Sequence, residues 1–336
     1  VKISIVGFVA AALLCAATLV QAQYPDAGND VMQMLKLEYS AREASMAGAA
    51  VGMPGGIDGA GANPAVIAFI PSVQGSLGFR KHVLDVWGLM LSGAMNLNPY
   101  GVVAGSLLYS SQGEVDESVR QGDKAVYTGR TWGAYDVMGS VGWGRVIAPG
   151  FGVGVVTKGL YSLIRTSDER YVADGFATDA GIQYRMLRDR LIVGAAVRNI
   201  GFLRRSFERE DTYTLPRSIA AGISIVPRYT QNLRLALDVE KKEGDYITFE
   251  PALAVSLLED MLVVRGGFSF SERDMREIFK SMQGEGDSFY QKSNWKLLCL
   301  GASFSTKNLK NLTFDSGVEF HSQLPPSLVF SLGVSL

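Results

Sequence analysis

The chain has little cysteine: among 336 residues there are two, Cys15 and Cys299. Cys15 lies in an apolar N-terminal run that reads as a removable leader, so one thiol would remain, which excludes a disulfide framework and leaves a thiolate zinc site without ligands. Histidine is equally scarce, with only His82 and His321. The formal net charge of −1 gives no electrostatic footprint for nucleic acid. Proline is held to 11 residues beside 38 glycines, a balance that suits strands and tight turns better than a helical enzyme. Beyond residue 22 no apolar run resembles a transmembrane helix.

Motifs that carry chemistry are missing too. There is no GxxxxGK followed by Ser or Thr, no HExxH and no GxSxG. Gly55, Gly56, Gly59 and Gly61 do not follow a strand and lack dinucleotide spacing. His321 has Ser322 beside it, but neighbours on a strand point to opposite faces and would not form a nucleophile–base hydrogen bond. No catalytic residue, cofactor or metal site is therefore assigned.

What is present is alternation. Over the last ten residues Leu328, Phe330, Leu332, Val334 and Leu336 share one face, and Ser327, Val329, Ser331, Gly333 and Ser335 the other. In a soluble sheet the apolar face would look into a core; in an outer-membrane barrel it looks at lipid while small and polar residues line the interior. Recurrence decides for the barrel. Strand-length segments follow at 72–80, 84–95, 101–111, 133–147, 151–165, 175–185, 190–202, 216–226, 233–242, 247–258, 261–271, 296–305, 312–321 and 327–336, fourteen in all. An even number is what a closed bacterial antiparallel barrel has. Counted from a periplasmic N-terminus, the even connections are short, whereas the odd ones hold the long charged stretches 112–132, 203–215 and 272–295. That is the loop asymmetry of outer-membrane barrels.

The polar faces carry charge, which a wet interior tolerates and a dry core does not. Arg234, Asp238, Arg265, Asp315 and Glu319 are the candidate lumen-lining charges. Pro251 falls mid-strand, where a missing ladder donor predicts a bulge or bend. Trp87, Trp143, Phe151 and Phe330 are candidates for interfacial girdles.

The N-terminal part does not alternate. Lys2, the apolar run 3–20 and the small-residue site Val20-Gln21-Ala22 predict a cleavable signal peptide, 1–22. A membrane-anchoring helix is the alternative, but no basic stop-transfer flank follows. Residues 23–70 include a predicted short helix over 40–48, with Ser40 and Glu43 at capping-box spacing, and a Gly/Ala-rich stretch ending in Asn63-Pro64-Ala65. Small residues let backbone pack closely, so this part is expected inside the barrel formed by 71–336; a free tail is the alternative.

The run Leu-Lys-Leu-Glu-Tyr-Ser-Ala-Arg-Glu-Ala-Ser-Met-Ala-Gly at 35–48, followed by Asn63-Pro64-Ala65, resembles the opening of the PorV/PorQ family, itself related to the FadL fatty-acid transporters. Asp179-Ala180-Gly181, Ala196-Val197-Arg198-Asn199-Ile200-Gly201, Leu215-Pro216-Arg217 and Leu237-Asp238-Val239 follow in the same order. Two departures are the single glycine in Ala47-Gly48-Ala49 and the terminal Leu336, where such strands usually end in an aromatic.

The resemblance implies an all-β, 14-stranded antiparallel transmembrane barrel of the outer membrane. Its N-terminal lumenal plug would carry the motif residues Ser40, Ala41, Arg42, Asn63, Pro64 and Ala65. It also implies an accessory role in type IX secretion or surface attachment, with secretion-machinery or anchoring proteins as partners. The candidate docking loop is Glu114, Asp116, Glu117, Arg120, Asp123 and Lys124. The charged residues of 203–215 invite the same reading. The alternative is a FadL-like passive transporter of hydrophobic small molecules, whose ligand pocket would draw on Met46, Met53, Ile57, Val66, Ile67 and Phe69. A purely structural barrel is a third reading.

Overall fold

The computed structural model describes residues 31–83, 85–122, 124–166, 168–207, 213–276, 296–306, 312–321 and 324–336. The signal-peptide and 23–30 expectations lie outside them.

Fourteen strands close into one antiparallel barrel. In order they are β1 Gln74–Lys81, β2 Trp87–Asn96, β3 Val102–Gln121, β4 Lys124–Ala148, β5 Phe151–Arg165, β6 Arg170–Met186 and β7 Leu191–Arg205. They continue as β8 Ser218–Ile225, β9 Leu233–Lys242, β10 Ile247–Leu257, β11 Leu262–Ser271, β12 Lys296–Thr306, β13 Leu312–His321 and β14 Ser327–Ser335. Each strand pairs with its neighbours in sequence, and β1 meets β14 from Gln74↔Ser335 to Lys81↔Leu328, so the cylinder leaves no free edge.

Alternation sorts the two faces. Leu328, Phe330 and Leu332 of β14 are exposed on the outer wall, whereas Ser327, Val329 and Ser331 are buried inside. The same sorting exposes Leu91, Leu107, Val141, Ile182, Leu237 and Phe314 around the girth. Apolar area on that scale suits a hydrocarbon layer and not water. Aromatics gather on the outer face of the first strands: Phe79, Trp87, Tyr109 and Tyr135 form a chain with successive ring separations of 6.5, 5.5 and 6.0 Å. Among the described residues no helix is long and apolar enough to cross a membrane.

Two expectations about the strands need correction. The stretch 112–132 is not a loop: β3 and β4 run on as a ladder through Glu114↔Gly133 and Val119↔Val126 to Gln121↔Lys124. Its strand pattern escapes sequence reading because register shifts at Ser111/Glu114 and Asp116/Ser118 break the two-residue period. Pro251 brings no bulge between β10 and β11, whose register holds from Phe249↔Phe270 to Ala252↔Gly267; the irregularity sits on the next pair, β11 and β12, at Gly267/Ser269.

The segment before β1 has one α-helical turn, α1 Ala41–Ala44, and 3₁₀ turns at Gln33–Lys36, Ile57–Gly59 and Pro64–Phe69. The helix expected over 40–48 stops early because Ala47 and Gly48 take left-handed conformations, with φ of 57° and 97°. Along its length the segment meets every strand. Tyr39 lies against Gly78 of β1 and Gly88 of β2. The Pro64–Phe69 turn packs on β3, β4, β5 and β6. Val51 meets Gly194 of β7, Gly52 meets Gly222 of β8, and Asp238 of β9 accepts a hydrogen bond from the Val51 N–H at 2.6 Å. Gly48 sits beside Glu250 of β10, Met46 on Gly267 of β11, Ser45 on Gly301 of β12, and Ala41 on Gly317 of β13 and Ser331 of β14. At several of these positions a Cβ would collide with backbone, so glycine on the inner wall is what admits the segment.

Candidate functional site

Small hydrogen-bonded residues hold the N-terminal segment in place. Ser40 caps α1, its hydroxyl accepting from the Glu43 N–H at 3.5 Å and donating to Asp58 Oδ2 at 3.2 Å. The Ala41 N–H, one of the helix's open donors, reaches Ser331 Oγ at 2.8 Å. Arg42 Nε stands 3.6 Å from Asp58 Oδ2. The Asn63 amide donates to the Val51 carbonyl at 2.9 Å and the Ile182 carbonyl at 3.0 Å, while its oxygen accepts from the Ala65 N–H at 3.0 Å. Pro64 then begins a 3₁₀ turn, where its missing N–H costs nothing. Burial pushes the Glu43 carboxyl up to about 8, with Asp58 adding to the rise and Arg42 opposing it.

The five lumen-lining candidates all have partners. Asp238 holds the Val51 N–H. Arg234 donates to Ser224 Oγ at 3.0 Å and the Asp189 carbonyl at 2.7 Å, and Ser224 in turn donates to the Gly52 carbonyl at 2.7 Å. Arg265 reaches Asp315 at 3.3 Å. Glu319 is paired with Arg80, which also donates to the Glu38 carbonyl at 2.9 Å. Arg80 was not read as a lumen charge from sequence, although it lies on the inner side of β1.

Between this segment and the inner faces of β2 to β9 lies a cavity of about 130 Å³. Its apolar lining includes Met34, Leu35, Leu37, Met90, Leu108 and Met138, which pack in one cluster. Its polar lining includes Lys158, Asp179, Arg198, Asn199, Ser218 and Glu240. Lys158 Nζ lies 2.6 Å from Asp179 Oδ2 and 2.8 Å from Asn199 Oδ1. Asn199 is itself held at a left-handed φ of 59°, its N–H donating to Asp179 Oδ1 at 2.7 Å. This αL residue bulges β7, shifting its register against β6 between Thr178 and Ala180. The cavity reaches the β7–β8 seam, where the ladder ends at Arg198↔Ser218 although β7 continues to Arg205.

Of the six pocket residues expected from sequence, Ile57 and Ile67 line the cavity. Met46 and Met53 pack instead with Ala49 and Ala236. Phe69 lies under the Arg185 guanidinium, 3.8 Å from its ring centre. Val66 is fully buried near Gly55 and Gly59. Met34, Met90 and Met138 were missed, since only the register of the barrel against its N-terminal segment brings them together.

The docking candidates sit on the long hairpin: Glu114, Asp116, Glu117 and Arg120 on β3 and Lys124 opening β4, with Asp123 outside the described residues. Thr128 donates to the Glu117 carbonyl at 3.1 Å, and Arg120 Nε to the Gly122 carbonyl at 3.0 Å. Cross-strand register puts Val115, Val119, Val126 and Trp132 on one face, and Glu114, Asp116, Arg120 and Tyr127 on the other. Arg204 and Arg205 close on Asp174 at 2.6 and 3.0 Å, while residues 208–211 lie outside the described set.

Sequence also missed that the two histidines converge. His82 Nδ1 is 2.6 Å and His321 Nε2 2.9 Å from Ser327 Oγ. Ser327 is buried, and its hydroxyl bridges the two rings. Among the described residues no group of three or more His, Cys, Asp or Glu side chains is placed to hold a metal ion.

No family model matches the chain, and no curated protein matches it. Solved structures do. The Pseudomonas putida toluene transporter TodX superposes with a TM-score of 0.64 at 12% identity, over 89% of this chain and 98% of that one. The CymD monoaromatic hydrocarbon channel gives 0.58 at 11% identity, over 88% and 96%. A Pseudomonas aeruginosa FadL homologue gives 0.53 at 12% identity, over 88% and 97%. The chain therefore has the fold of these FadL-type fourteen-stranded outer-membrane barrels.

Proposed function

We propose that the protein is an outer-membrane channel that passes hydrophobic small molecules, with residues 31–70 as its lumenal plug. The observation that carries this reading is the cavity against the plug, whose lining includes a cluster of methionine and leucine inside a barrel with a greasy exterior. Its size is close to that of apolar cavities, about 150 Å³, that take benzene. Methionine gives such a site adaptable walls. TodX is named as a toluene transporter and CymD as a monoaromatic hydrocarbon channel, which supports the same class of cargo. The test is uptake of radiolabelled toluene into cells carrying the wild type or Met138→Trp, which fills the cavity. An uptake rate reduced about tenfold is expected, and equal rates overturn the reading.

A second reading, protein docking in type IX secretion or surface attachment, is favoured by the projecting β3–β4 hairpin with its apolar and acidic faces. If secreted proteins reach the surface normally after deletion of 114–124, docking through the hairpin is wrong.

A further inference from the structure

The cavity's cations are already matched by carboxylates. Four cationic and five carboxylic side chains line it. Every one of the four cations already has a carboxylate at ion-pair distance: Lys36 with Asp245 at 4.0 Å, Lys158 with Asp179 at 2.6 Å, Lys242 with Glu240 at 3.6 Å, and Arg198 with Glu240. Of the five carboxyls Glu43 holds a proton through neutral pH, since burial moves it up to about 8. A second set of polar groups carries no charge: Asn199 and Ser218 at the β7–β8 seam, and the Ser106–Ser140 hydroxyl pair, 2.6 Å apart, on β3 and β4.

An anion entering this space would lose its hydration and find no spare cation, the situation in which burying charge is most costly. Asn199 and Ser218 are already engaged with Lys158, the Pro216 carbonyl and Arg198. Two hydroxyls bonded to each other keep one hydrogen and several lone pairs, so a hydroxyl or carbonyl on an apolar body can exchange hydrogen bonds with Ser106 and Ser140. From this we infer that the cavity selects uncharged molecules, an apolar body with a hydrogen-bonding group, and rejects carboxylates of the same size and shape.

This inference rests on the channel reading and narrows it. The test is displacement of radiolabelled toluene from the full-length protein in lipid nanodiscs, with protein-free nanodiscs as control, by benzyl alcohol or by benzoate near neutral pH. The expected result is half-displacement by benzyl alcohol at a concentration at least about tenfold below that of benzoate. Glu240→Gln removes the carboxylate shared by Arg198 and Lys242, and Asp179→Asn removes that of Lys158; each is expected to narrow the gap by about tenfold. Using both guards against one variant failing to fold. Benzoate matching benzyl alcohol on the wild type, or a gap unchanged in both variants, overturns the inference while leaving the channel intact. Failure to bind toluene at all removes the channel reading and this inference with it.

Discussion

Asn63 ties three stretches of backbone together with one amide, and nothing in its neighbours' sequence names the Val51 and Ile182 carbonyls it serves. Asn63→Ala leaves both buried acceptors without that donor, at a cost of about 2 kcal/mol or more. Hydrogen–deuterium exchange over 51–65 is expected to quicken at least about tenfold, while exchange in β9 and β10 stays slow. Glu43 sets a pH dependence. Its carboxyl is raised to about 8 in the folded segment, so between the ordinary carboxylate range and about 8 the native state binds more protons than the unfolded one. Packing of α1 is thus firmest below that window and weakens as pH rises through it. Exchange at 41–48 measured against pH should show the loss, and Glu43→Gln should flatten it. The Ser40 cap was legible because capping is local, whereas Glu43's burial depends on barrel residues far away in sequence.

At the level of elements, what the chain reveals in advance is period. β5, β9 and β13 end where their alternation ends, because a side chain's face is fixed by its own position in the strand. Register between strands has no such local signature. Lys158 meets Asp179 only once β5 and β6 have aligned, and His82 meets His321 only once β14 has aligned with both β1 and β13. The hairpin was lost for the same reason, two shifts of register scrambling its period. Close approach gives a direct test at this scale. A Cβ on Gly222 would fall 2.6 Å from the Gly52 nitrogen and onto the Asp238 carboxylate. Gly222→Val is therefore expected to expel the N-terminal segment but leave the outer ladder intact. Limited proteolysis should cut within 31–70, while the folded barrel keeps its faster mobility on unheated gels. Resistance equal to wild type would show that the wall yields instead.

For the molecule as a whole, several ion pairs of the inner wall do not depend on the N-terminal segment. Arg80 with Glu319, Lys158 with Asp179, and Arg265 with Asp315 pair strand to strand, so they remain matched when the segment is removed and water fills the lumen. Deletion of 31–70 is expected to give a barrel that still folds in lipid and conducts ions in planar bilayers, where the wild type conducts little. Equal conductance would mean that the segment does not obstruct the lumen. The β1–β14 seam has a further consequence. The residues that ring the inside immediately precede the first strand of that seam, and they touch staves all the way round. A cylinder that shut first would leave only its narrow ends for them to enter, so the expected order is enclosure of the segment while the sheet is still open. The β1–β14 ladder would then work as a clasp, and a chain lacking its final strand is expected to lose protease resistance in 31–70 as well as closure of the wall.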